Sequence, residues 1–349
     1  MAGYLIYGAN GYTGTLIARM AAGRNQRPIL AGRNGPAVAA VANALGMESR
    51  TFALDDPIAV DAGLEGVRIV LHCAGPFMHT AKRVAEACLR RGAHYLDVTG
   101  EIGVFETMAA LDAEAKRAGV MLLPGVGFDV VPSDCLAVHL KSRLPSATRL
   151  ALGFQALGGL SRGTATTMAE NFHRGGVVRR GGVLMRVPAC WKTRTIDFGK
   201  GPRVAMTIPW GDVSTAWYST RIPNIEVYMA APAGQRLLAR ASRPFGWLLG
   251  SRWAQRRLKE RIARSAPGPT DAQRETGTSL LWGEARDDQG GRVAARLKGP
   301  EGYTLTALAA LAVVERVAAG EWSAGFQTPG KQYGADFVLQ IPGVVRTDA

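Results

Sequence analysis

Short apolar runs alternate with helical patterns over about the first 125 residues. Tyr4–Tyr7, Pro28–Asn34, Ser49–Leu54, Val67–Cys73, His94–Val98 and Val120–Leu123 read as strands, too short and too continuous for helices. Between them, apolar residues recur three and four apart, as at Leu16, Ile17, Met20 and Ala21. The segments 35–46, 80–91 and 103–118 carry the same helical signal, and Asp56-Pro57 reads as a helix start. Strand and helix in regular alternation predict an α/β domain with a Rossmann-type parallel sheet.

The pattern changes from Ala147 onward. Strands are expected at 147–157, 204–208, 214–219, 225–230, 276–285 and 291–298, with Pro209 and Pro223 as breakers. A helix is expected at 164–174, an irregular basic segment at 175–202, and a long helical stretch at 232–266 broken at Pro244. Residues 303–319 are apolar on nearly all sides, which predicts a buried helix. Together these predict a second α+β domain built on a mostly antiparallel sheet. The expected division is 1–135 for the first domain, 136–300 for the second with the basic excursion at 232–266, and 301–349 returning to the first.

The first strand ends in a turn with glycines three apart, Gly8, Gly11 and Gly14, and a helix follows. Strand, glycine turn and helix in that order form the entry to a dinucleotide-binding fold. Glycine allows the tight turn, the close approach of backbone to a pyrophosphate, and the packing of helix on strand. The helix N-terminus offers unpaired N–H groups and the positive end of its dipole. Gly8, Asn10, Gly11, Tyr12, Thr13 and Gly14 are therefore candidate cofactor ligands. The second strand ends without the acid that would bond a ribose 2′-hydroxyl; Arg33 stands there instead. An arginine suits a 2′-phosphate, so NADP(H) is expected over NAD(H).

Asp55, after the third strand, is a candidate for the adenine amino group. Cys73, Ala74, Gly75 and Pro76, after the fourth, are expected to flank the nicotinamide ribose, with Cys73 a packed residue rather than a nucleophile. The loop Pro124–Asp134 follows the sixth strand. Ser133 or Asp134 reads as the cap of a helix over 135–143, which leaves Asp129 as the better site candidate. Glu101 and His173 complete the catalytic candidates.

Composition then narrows the function. The chain has 349 residues, 47% hydrophobic and 20% charged, ample for two cores. Cys73, Cys88, Cys135 and Cys190 form no CxxC pair and none has zinc-finger spacing, so no metal is expected. With no leader expected before the first strand and no long uncharged apolar run, the reading is cytoplasmic with reduced thiols, peripheral at a membrane at most. The formal net charge of +14 asks for an acidic partner. Residues 236–264 hold nine basic side chains and one acid, Glu260, interleaved with Leu, Trp and Phe. That segment suits an anionic membrane surface, an acidic carrier protein or a homodimer mate. No nucleic-acid module accompanies the charge.

Five stretches together resemble the saccharopine dehydrogenase-like oxidoreductases. They are Gly8 to Gly14, Ala31-Gly32-Arg33, Cys73-Ala74-Gly75-Pro76-Phe77, Tyr95 to Glu101, and Gly127 to Asp134. The branch is similar to the mycobacterial trans-acting enoyl reductases and the animal saccharopine dehydrogenase-like oxidoreductase. The resemblance covers the first 135 residues and resumes after Gly302. It implies an NADP-binding Rossmann domain, a second α/β domain and a C-terminal segment that returns to the first. It does not fix the substrate; the expected reaction is NADP(H)-dependent reduction of a C=C, C=N or C=O bond in a small, lipid-like or carrier-bound substrate. Two alternatives stand beside it: an imine reductase gripping carboxylates with arginines of the 174–194 region, and a non-enzymatic NADP-binding sensor. A short-chain dehydrogenase is excluded, because no tyrosine has a lysine four residues on.

Overall fold

Strand β1 (Tyr4–Tyr7) leads through the glycine turn into helix α1 (Tyr12–Gly23). The alternation continues through β2 (Ile29–Gly32), α2 (Gly35–Leu45), β3 (Ser49–Thr51), α3 (Pro57–Gly63) and β4 (Ile69–His72). It runs on through α4 (Phe77–Arg91), β5 (His94–Asp97), α5 (Ile102–Ala110), α6 (Asp112–Arg117) and β6 (Met121–Leu123). The structure, a computed structural model, describes residues 3–157, 159, 161–172 and 175–349.

Helix α7 (Val131–Arg143), β7 (Arg149–Leu157) and α8 (Arg162–Phe172) come next. They are followed by β8 (Gly176–Arg180), β9 (Val183–Val187), β10 (Thr193–Asp197), β11 (Pro202–Thr207), α9 (Asp212–Thr220) and β12 (Asn224–Ala230). The basic stretch forms α10 (Ala233–Ala241), a short turn at Arg243–Phe245, α11 (Gly246–Leu249) and α12 (Arg252–Ala263). The chain closes with α13 (Asp271–Thr276), β13 (Thr278–Arg286), β14 (Arg292–Pro300), α14 (Gly302–Ala318), β15 (Gly325–Phe326), α15 (Pro329–Tyr333) and β16 (Val345–Asp348).

Two compact units result: the chain up to Val131 with Tyr303–Gln332, and Pro132–Gly302 with Tyr333–Ala349. In the first, all seven strands are parallel, in the order β15-β6-β5-β4-β1-β2-β3. Every residue of β1, β4 and β5 is buried, as parallel strands covered on both faces must be. Helix starts follow local chemistry. Asn34 caps α2 by accepting from Ala37 N–H at 3.2 Å, and Asp56 caps α3 by accepting from Ile58 and Ala59 N–H. The strand order reverses between β1 and β4, so their following loops part and leave a crevice at the carboxyl ends.

The second sheet runs β10-β11-β12-β7-β13-β14-β16, with the β8–β9 hairpin attached through β12. Its β7–β12 pair is parallel; the other pairs are antiparallel, as the pattern predicts. A core of Ile196, Phe198, Ala205, Tyr228, Leu280 and Trp282 holds one face.

Several sequence expectations are corrected here. Residues 214–219 belong to helix α9: Val213, Ala216 and Thr220 are buried at helical spacing, which outweighs the strand propensity of the segment. The stretch 175–202 is not irregular; its Gly181-Gly182 turn, at φ +53° and +82°, closes the β8–β9 hairpin, and β10 follows. Helix α7 begins at Val131, so Ser133 and Asp134 lie inside it rather than capping it. The tail does not return whole to the first unit: β15 joins the parallel sheet beside β6, whereas β16 pairs with β14 in the second unit.

Candidate functional site

The glycine turn is fixed by backbone contacts that a side chain would break. Gly8 sits at φ +86°, and a Cβ there would lie 2.8 Å from Ala74 N. A Cβ on Gly14 would lie 2.3 Å from Gly8 O, so helix α1 rests directly on the turn. The turn is tied to β2, because Gly8 and Ala9 N–H both donate to Ala31 O, at 2.8 and 3.1 Å. Gly11 is the N-cap of α1 and supplies no side-chain cap, and no acid sits in the first turn. The helix start therefore has no capping side chain of its own to compete with a phosphate. Asn10 reaches toward β2: a Cβ on Gly32 would be 3.2 Å from its Oδ1. Tyr12 lies edge-on to Tyr303, ring centroids 5.0 Å apart. Thr13 is half-buried in the first turn. The cradle fits a dinucleotide pyrophosphate on two grounds: space that a Cβ would fill, and an uncapped helix start.

At the ends of β2 and β3, Arg33 and Asp55 are both exposed. Each acts on the buried Tyr7 phenol, whose O–H donates to Phe52 O at 3.0 Å. Burial pushes that phenol up to about 12, with Arg33 pulling it down and Asp55 pushing it up. The two sequence candidates thus share one neighbourhood.

The loop after β4 is pinned from beneath. Cys73 N–H donates to Tyr7 O at 2.7 Å, and Gly75-Pro76 is a cis peptide. Burial, then the nearby Asp97, push the Cys73 thiol well above its ordinary value, so it stays protonated and un-nucleophilic. Thr80 Oγ1 donates to Ala74 O at 2.9 Å and lies 2.9 Å from His72 Nε2. The hydroxyl proton is committed to Ala74, so the His72 nitrogen is the donor and carries the hydrogen. Nδ1 of His72 is then a buried acceptor without a partner. Burial lowers His72 to about 3, and the ring is neutral.

Three carboxylates gather at the ends of β5 and β6. Asp97 is fully buried and accepts from Tyr95 O–H at 2.7 Å, Thr99 N–H at 3.0 Å and Gly125 N–H at 2.8 Å. Burial raises it to about 6 against the pull of these donors. Asp97 therefore stitches the β5 and β6 loops together. Glu101 accepts from Phe77 N–H and Met78 N–H, each at 2.8 Å, and so caps the start of α4. Asp129 lies against Gly100, where a Cβ would come within 2.7 Å of its Oδ2. Burial, then the Glu101 charge, raise Asp129 to about 7. Glu101 and Asp129 are thus brought together, with Glu101 held by α4 amides and Asp129 poised near neutrality. His173 lies outside the described residues.

His72, Thr80, Tyr95 and Asp97 are site residues that the sequence reading leaves unassigned. Register aligns Tyr7, His72 and Asp97 in one row across β1, β4 and β5. For His72 and Asp97, a polar residue at the end of an otherwise apolar strand is the signal that would have found them. Three of the arginines offered by the imine reading have partners within the second unit; Arg174 lies outside the described residues and Arg186 is exposed. Arg179 donates to Val213 O and Gly182 O, while Arg180 pairs with Glu226 and Arg194 with Glu284.

Residues 4–123 match the family model of the saccharopine dehydrogenase NADP binding domain. One Mycobacterium tuberculosis relative is 30% identical over 180 residues, 48% of this chain and 43% of that protein. Trans-acting enoyl reductases of Mycobacterium tuberculosis and Mycobacterium ulcerans are 29% identical over 147 residues, 40% of this chain and 35% of theirs. The matches thus span less than half the length of these curated relatives. The apo saccharopine dehydrogenase (L-Glu forming) of Saccharomyces cerevisiae aligns over 100% of both chains with a TM-score of 0.69 at 11% identity. Strand order, glycine cradle and these likenesses agree: the chain has the saccharopine dehydrogenase fold, and residues 4–123 match that family's NADP-binding domain, which supports NADP(H) as the cofactor.

Proposed function

We propose that this protein is an NADPH-dependent reductase in which Asp129 donates the proton and Glu101 sets its acidity. The observation that carries this reading is the pair of neighbouring carboxylates in opposed environments. Glu101 accepts two backbone N–H bonds at a helix start, which favours its ionised form. Asp129 is raised to about 7, partly by that fixed charge. Two carboxyl groups driven apart in this way divide into a permanent anion and a proton carrier at neutral pH.

Bound NADPH would supply the hydride. Gly8, Asn10, Gly11, Tyr12, Thr13 and Gly14 would hold its pyrophosphate, and Arg33 its 2′-phosphate, with Asp55 toward the adenine. Cys73, Ala74, Gly75 and Pro76 would flank the nicotinamide ribose, fixed by Thr80 and His72. Asp129 then delivers its proton to the reduced substrate, and the charge of Glu101 raises the fraction of Asp129 that still holds one at pH 7.

The mycobacterial relatives are trans-acting enoyl reductases, which favours a conjugated C=C bond in an acyl thioester as the substrate. The engagement of Arg180 and Arg194 by Glu226 and Glu284 leaves fewer arginines for the imine reading. The test is NADPH consumption with a panel of enoyl thioesters. Asp129→Asn should lower kcat by about 10²–10⁴-fold while NADPH still binds. Wild-type turnover by Asp129→Asn, with the alkaline limb near pH 7 intact, would remove Asp129 from the mechanism.

A further inference from the structure

Helix α12 is 12 residues long, yet it buries none of its side chains. A helix of that length is marginal in water unless a packed face supports it. Its support within the unit is a seam with α8, where Gln255 Nε2 donates to Ala169 O at 3.1 Å and Lys259 pairs with Glu170 at 2.5 Å. The neighbouring α10 buries only Ala239. Large apolar side chains therefore face water along the whole segment: Leu237 and Leu238 are 69% and 65% exposed, Trp247 and Trp253 78% and 68%.

The charges on the segment are equally unspent. Arg236 and Arg243 donate to backbone carbonyls and tie it to the domain. Arg256 pairs with Glu260, its neighbour along the helix. Among the described residues, Arg240, Arg252, Arg257, Arg261 and Arg264 enter no ion pair. Three of these five arginines share one face of α12, where Arg257 also lies 5.9 Å from the Trp253 ring. That face lines an open surface groove together with Ala169, Trp253, Ala254, Gln255, Leu258 and Glu260.

We propose that residues 233–264 dock the protein onto an anionic phospholipid surface. Such a surface uses both halves of the pattern. Guanidinium groups meet lipid phosphates, indoles settle at the headgroup level, and leucines reach the acyl boundary. An acidic protein surface would engage the arginines, but only one with an apolar patch of its own would also cover the two tryptophans and two leucines. Among the described residues no helix is long and apolar enough to cross a membrane, so the segment lies on the bilayer rather than in it.

The experiment is cosedimentation of the full chain with phosphatidylcholine vesicles, with and without phosphatidylserine, at low salt and at about 0.5 M salt. Binding should require phosphatidylserine and be lost at the higher salt. The triple variant Arg257→Gln/Arg261→Gln/Arg264→Gln should bind at least about tenfold more weakly, each basic group near the surface contributing severalfold. Trp247→Ala/Trp253→Ala should also weaken binding at low salt, because the contact is not purely electrostatic. All five side chains are exposed, so thermal unfolding of both variants should match wild type. Failure to sediment with phosphatidylserine vesicles at low salt would overturn the proposal. So would capture by an acidic acyl carrier protein in preference to vesicles, or equal binding by both variants and wild type. None of these readouts depends on the reductase reaction.

Discussion

Asp129 makes two separate predictions from one cause. Its folded-state value is about 7, against an ordinary 3.8. Between those values the folded chain keeps a proton that the unfolded chain releases. Stability therefore falls as pH rises through that window, and the loss is complete above about 7. Asp129→Asn removes the ionisation, so urea unfolding should find the variant more stable than wild type at pH 8, by about 1–3 kcal/mol, but not at pH 4. For the cofactor, Arg33→Ala should weaken NADPH binding by about 10–100-fold and leave NADH unchanged, as for loss of a charge-assisted bond to phosphate. Fluorescence titration with both nucleotides checks it, and equal losses would reject Arg33 as the source of preference. Arg33 stands out as a candidate in the sequence because its position after the second strand has a known geometric meaning. The raised pKa of Asp129 does not, because Gly100 and Glu101 approach it only after β5 and β6 have paired.

Among the elements, helix α4 illustrates how the site is wired. Its first two N–H groups are held by a side chain 24 and 23 residues away, in the loop after the next strand. Glu101→Gln keeps an acceptor but loses the charge. The variant should fold, lose about 1 kcal/mol at the helix start, and shift the alkaline limb of activity to lower pH, because Asp129 no longer faces an anion. A pH–rate profile of the variant reads that shift directly; an unmoved limb would mean that Glu101 does not govern Asp129. The glycine turn is tested by Gly14→Ala. The added Cβ would meet Gly8 O at 2.3 Å, so either turn or helix must move, at about 1–3 kcal/mol and with loss of NADPH binding. The periodicity announced α4 and the turn, but not the side chain that caps the helix. A cap this distant in sequence has no local pattern.

For the whole molecule, the first unit is completed by chain that arrives last. Helix α14 buries Leu305, Ala309, Leu311, Val313 and Val314 among others, and β15 extends the parallel sheet. Phe326 N–H donates to Asp112 Oδ1 at 2.8 Å, and Gln327 N–H to Leu122 O at 2.9 Å. A chain ending at 301 should therefore lose its cooperative thermal transition and expose apolar surface to a dye such as ANS, rather than leave a stable cofactor domain. A sharp transition with retained NADPH binding would show that the first unit closes without α14. The buried character of α14 was legible from its apolar residues on all sides, whereas the pairing of β15 and β16 with different sheets was not.

Local rules decided much of this protein before any long-range contact formed. The alternation of buried strands and amphipathic helices, the Asn34 and Asp56 caps, and the glycine turn follow from periodicity and backbone sterics within a few residues. Tertiary structure decided what depends on sequence-distant neighbours. It made 214–219 a helix, turned 175–202 into paired strands, and gave Arg180 and Arg194 of that region internal partners. It also set Glu101 beside Asp129. Electrostatic and packing energies belong to pairs of groups, and the partner of a residue is known only once the sheet has brought the two together.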